Sequence, residues 1–65
     1  NKLVVRAFLQ WLDTATEPEI ETRRQAVLDA LAQFHGKDAR ADLRLGLSLI
    51  EEELVARADL WRARP

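Results

Sequence analysis

Three consecutive carboxylates, Glu51, Glu52 and Glu53, are the densest group of chemically capable side chains in this sequence. Metal binding or acid–base catalysis needs such groups to converge on one point. Successive residues on a helix fan out by roughly 100° each, so three in a row point apart. Glu53 is better matched to Arg57, four residues on and in the order that favours an ion pair. Glu51 and Glu52 read as a solvated face. The single histidine, His35, has general-base chemistry in principle, but no Ser, Cys or Asp stands at a spacing that would form a catalytic set with it. It lies where a helix is expected to end, an ordinary place for histidine. No catalytic, metal-binding or cofactor-binding residue is assigned, and the chain reads as a non-enzyme with no cofactor.

Two other groups bear on binding. Arg23, Lys37, Arg40 and Arg44 cluster around an expected turn between two helices. Arg40 and Arg44 are one helical turn apart near the start of the second of these helices, where a DNA-recognition helix places its base contacts. Against that, both helices are longer than the usual bihelical unit. With Gly36 as the turn glycine, the position that should be buried in the second helix falls on Asp42, and Asp38 and Asp42 interleave with the basic residues. A DNA-binding regulator using Arg23, Lys37, Arg40 and Arg44 is therefore the alternative reading, not the leading one. Arg24 stands inside an apolar seam of Ile20, Val27, Leu31 and Phe34. Its stem is expected to pack while its head reaches a carboxylate of the next helix, Glu51 or Glu53. A sharper reading makes it a register-setting group at a subunit interface.

The elements that must position these groups are helices. Residues 1–13 are dominated by apolar side chains, with Val4, Phe8, Trp11 and Ala15 on one face and Val5, Leu9 and Leu12 on the adjoining one. Lys2, Arg6, Gln10 and Asp13 keep a polar edge at helical steps. So apolar a helix is expected to be buried around most of its circumference. Thr16, Glu17, Pro18 and Glu19 fit a capping box, with proline tolerated in the first turn and acids at the positive end of the helix dipole. A second helix is expected over 17–35, with Glu19 and Arg23 as an i,i+4 pair, Thr22, Gln25, Asp29 and Gln33 facing solvent, and His35 and Gly36 as stop signals. A third is expected over 39–64, capped by Asp38.

That third helix is what the rest is arranged around. It carries two apolar seams, one of Leu43, Leu47, Ile50, Leu54, Ala58 and Trp61, the other of Leu45, Leu49, Ala56 and Leu60. Its partner across the short turn is about a third shorter, so Ala56, Leu60 and Trp61 fall in an overhang. Trp is enriched at interfaces, and of Trp11 and Trp61 the latter is the stronger candidate there.

Sixty-five residues make one domain, 1–65. A core of that size rarely supplies more than about 3–5 kcal/mol without a staple. There is no cysteine and one histidine, so disulfides and an all-protein zinc site are out of reach, leaving oligomerisation. The formal net charge of −1 gives no push toward nucleic acid or an anionic membrane. Eight of the ten basic residues are arginine and alanine is abundant, a bias read as bacterial; the lack of cysteine fits the cytoplasm.

The expected fold is all-α: a short apolar helix 1 followed by an antiparallel hairpin of helices 2 and 3, assembling as a homodimeric helical bundle. The expected function is a protein–protein interaction module, an adaptor, regulator or assembly domain whose partners are itself and another protein, with no membrane. Its interface candidates are Leu45, Leu49, Ala56, Leu60, Trp61, Phe8, Trp11 and Arg24.

Overall fold

The computed structural model describes residues 2–63. Three α-helices follow in order, α1 over Lys2–Thr14, α2 over Glu17–Gln33 and α3 over Lys37–Arg62, with no strand among the described residues. The ends expected at Asn1, Arg64 and Pro65 lie outside the described residues. No helix among them is long and apolar enough to cross a membrane.

The start of α2 is the best-defined local feature. Thr16 Oγ1 accepts from the Glu19 backbone N–H at 3.4 Å, and Glu19 Oε1 accepts from the Thr16 backbone N–H at 2.9 Å and from its hydroxyl at 2.8 Å. Both reciprocal bonds of the capping box are thus present. They hold the Glu19 carboxyl below its ordinary pKa, first through the backbone bond from Thr16 and then through the hydroxyl. The cap corrects one expectation. Glu19 and Arg23 do not pair, because the carboxylate is turned back onto Thr16 while the Arg23 guanidinium lies over the Trp11 ring.

The turn between α2 and α3 corrects two more. α2 ends at Gln33 with Phe34 at its C-cap, so His35 lies in the connection rather than in the last turn. α3 begins at Lys37, two residues early, with Gly36 rather than Asp38 at the N-cap and no side-chain cap. Asp38 sits in the first turn, where its charge still faces the positive end of the dipole. The first backbone bond of α3 runs from the Arg40 N–H to the Gly36 carbonyl at 2.9 Å, and the Arg40 side chain reaches back to α2. Its Nη1 donates to the Phe34 carbonyl at 3.0 Å and to the Leu31 carbonyl. The first turn of α3 thereby satisfies carbonyls that the end of α2 leaves open.

α2 and α3 pack against each other as an antiparallel hairpin and make most of the interhelical contact. The core is Leu12, Ala15, Ile20, Val27 and Ile50, with Phe8, Trp11, Leu31, Leu43, Leu47, Leu49 and Leu54 packed around it. α1 lies against this hairpin and runs the same way as α3. Its Val4 and Val5 stand near Leu45, and its Leu12 carbonyl accepts from Arg57 Nη2 at 3.0 Å. Here the expectation of a helix buried nearly all round gives way. Only Leu12 of α1 is buried, while Phe8 and Trp11 are half-buried and Leu3, Val4, Val5 and Leu9 are exposed. Within one chain α1 meets the hairpin along a single line, and that contact is secured at its C-terminal end.

The molecule is elongated, 46 × 25 × 16 Å, with a radius of gyration of 13.1 Å. A compact domain of this length has about 11 Å.

Candidate interaction surface

The charged groups singled out in the sequence do not converge. Glu53 is held by Arg57 at 2.8 Å, as the i,i+4 spacing predicts, and Glu51 and Glu52 are exposed. Arg24 is half-buried and its ion pair is with Glu21, one turn before it, at 4.0 Å. The expected reach to Glu51 or Glu53 does not occur; Glu53 pairs with Arg57 and Glu51 is exposed. Of the basic residues around the turn, Arg40 is spent on the α2 carbonyls and Arg23 stacks 4.6 Å from the Trp11 ring centroid. Lys37 and Arg44 are exposed.

What the structure does assemble is apolar. Val4, Val5 and Phe8 of α1 face Leu43, Leu45 and Leu49 of α3 across an open crease of about 250 Å³, with Val27 of α2 behind them and two charged residues, Arg23 and Asp42, also in the lining. Three of the interface candidates, Phe8, Leu45 and Leu49, meet here. Trp11 is close by, its ring 5.7 Å from that of Phe8 and covered by Arg23, so it works as an internal packing group. Val4 is 66% exposed and Leu45 50%, so the crease is unroofed.

Gly46 also lines the crease. Glycine inside a helix costs roughly 0.5–1 kcal/mol relative to alanine, and a cause is usually visible as positive φ or a close neighbour. Neither is present: Gly46 has no positive φ, and a Cβ placed on it would meet nothing within 4 Å. The glycine leaves extra room in a crease that the single chain does not fill.

The remaining candidates lie elsewhere. Ala56, Leu60 and Trp61 are exposed near the C-terminal end of α3, Leu60 and Trp61 past Arg57, which donates to the Leu12 carbonyl of α1. Trp61 is 73% exposed and shares a shallow depression with Leu54, Ala58, Leu60 and Glu17. At 1.5 Å per residue, Leu60 is about 22 Å along α3 from Leu45, so one seam of α3 feeds two separate apolar patches.

Val4, Val5 and Gly46 belong to the crease although periodicity assigns the valines to a buried face. Gly46 carried the one readable signal, being the only glycine in a 26-residue helix. Compared with protein-family models, with curated proteins and with solved structures, the chain matches none.

Proposed function

We propose that this chain is a non-enzymatic protein–protein interaction module, a small helical adaptor, regulator or assembly domain that pairs with a second copy of itself. The observation that carries this reading is surface area. The chain exposes 5319 Å², whereas a folded monomer of 7.5 kDa exposes about 4,200 Å². The difference is on the order of 1,000 Å², and a stable interface takes about 800 Å² from each partner. Exposed Leu3, Val4, Leu45, Leu60 and Trp61 supply apolar surface of the kind such an interface buries. The nucleic-acid reading has less behind it, because two of its four residues, Arg23 and Arg40, are engaged within the chain.

Absolute mass by light scattering on a sizing column, over a tenfold concentration range, tests the proposal. The expected result is a mass that rises to twice that of the chain. A constant monomer mass up to the highest concentration, in a fully helical sample, removes self-association.

A further inference from the structure

The charges bordering the crease specify how two copies meet. Lys2 and Arg6 lie one turn apart on α1, and by helical periodicity they follow Val5 and Leu9 around the helix, opposite Trp11. Trp11 faces α2 through Arg23, so Lys2 and Arg6 are on the side of α1 turned away from α2. On α3, Asp38 and Asp42 fall within roughly 60° of arc of Leu45 and Leu49, by helix geometry, also away from α2. The unroofed face therefore has two cations along α1 and two anions interleaved with Leu45 and Leu49 along α3, with Asp42 and Arg23 themselves lining the crease. All four charged residues are exposed, and none takes part in an ion pair among the described residues.

A face carrying one charge on each side can meet a copy of itself in two ways. A twofold axis lying across the helices sets α1 on α1 and α3 on α3, like charge on like. A twofold axis lying along the helices sets α1 of each copy on α3 of the other, opposite charges together. Like-charge juxtaposition across an interface costs several kcal/mol. Because an isologous contact uses the same patch twice, this one face needs no second kind of partner.

Resting on the reading of the chain as a self-associating module, we infer that the crease between α1 and α3 is the dimer interface. α1 of a second copy lies against α3 at the edge of the crease, related by a twofold axis that runs parallel to the helices. Lys2 and Arg6 of each copy face Asp38 and Asp42 of the other. Gly46 gives the incoming helix its closest approach.

The natural chain has no cysteine, so introduced thiols report on proximity without background. Arg6→Cys and Asp42→Cys chains are prepared separately and treated with a short bifunctional thiol cross-linker, alone and mixed. They are used at a concentration where light scattering gives the unaltered chain as a dimer. The expected result is cross-linked dimer in the mixture, holding one chain of each kind, and little from either alone. Self-linking of the Arg6→Cys chain overturns the axis along the helices while leaving self-association in place. An unlinked mixture, with the unaltered chain still dimeric, overturns the crease as the interface. A chain that is monomeric throughout removes the inference together with the reading it rests on.

Gly46→Leu adds an independent arm. A Cβ at this position meets no atom within 4 Å, and leucine is a better helix former than glycine, so helix content by circular dichroism is expected to hold. The dissociation constant of the dimer is expected to rise at least tenfold. An unchanged constant counts against the crease.

Discussion

At its C-terminal end, α1 runs into the core: Leu12 and the following Ala15 are buried with Ile20, Val27 and Ile50, and Arg57 binds the Leu12 carbonyl. Toward its N-terminus, at Val4 and Val5, the same helix presents exposed apolar side chains over an unfilled crease. Both ends have the same kind of composition, so hydrophobicity does not separate them. What differs is the supply of partners. The capping box places α2 directly after the closed end, and Arg57 is a hydrogen-bond donor with reach to that same end. The open end lies against α3 around Leu43, Leu45 and Leu49, where its Val4 and Val5 stay exposed. A short apolar helix can therefore be anchored firmly at one end and still present an adhesive face at the other.

The sharpest way to break this contrast is a pair of truncations. Ile50 is fully buried at the closed end. Ile50→Ala is expected to cost about 3–4 kcal/mol, comparable to the roughly 3–5 kcal/mol a core of this size supplies, and to leave the chain largely unfolded. Val4→Ala at the open end is expected to change the stability of the dilute single chain by less than about 0.5 kcal/mol. Urea melts at low concentration read both. Equal losses from the two would mean that the ends do not differ.

Arg57→Gln asks what holds the closed end. It removes both the Leu12 carbonyl bond and the bond to Glu53. The expected loss is about 1–2 kcal/mol, in line with charge-assisted hydrogen bonds that are partly exposed. Amide hydrogen exchange should report it as faster exchange in α1 than in α2. If α1 and α2 speed up alike, Arg57 stabilises the whole fold and is not a clamp on α1.

The smallest effect concerns pH. Glu19 has its pKa lowered in the folded chain by its bonds to Thr16. A carboxyl lowered on folding contributes stability that is present above its unfolded pKa and is lost as pH falls through the folded value. Stability should therefore decline as pH drops below the ordinary glutamate value of 4.5, and Glu19→Gln should flatten that acid limb. Melting temperature against pH checks this. An equally steep limb in the variant would assign the acid sensitivity to other carboxylates.

How much of this was legible in the sequence depended on separation along the chain. The capping box joins Thr16 to Glu19, Gln25 bonds Asp29 at 2.9 Å, and Arg57 bonds Glu53. All of these lie within one helical turn, where geometry is the same in any helix. The three helices and the short turn between α2 and α3 follow from the same local rules. So does the pair of seams on α3, since side-chain direction repeats every 3.6 residues.

The contacts that local spacing does not determine are those that depend on where a second helix lies. Arg57 reaches a carbonyl 45 residues away. The Arg40 side chain binds the Phe34 carbonyl at the end of α2, and α3 starts at Lys37 with Gly36 rather than Asp38 at its N-cap. Arg24 pairs with Glu21 on its own helix rather than with a carboxylate of α3. The same holds for α1. Periodicity says which of its residues are apolar, whereas burial requires an opposing surface. Packing provides that surface at Leu12 and leaves the crease at Val4 open, because a single hairpin presents α1 with too little surface to cover both ends.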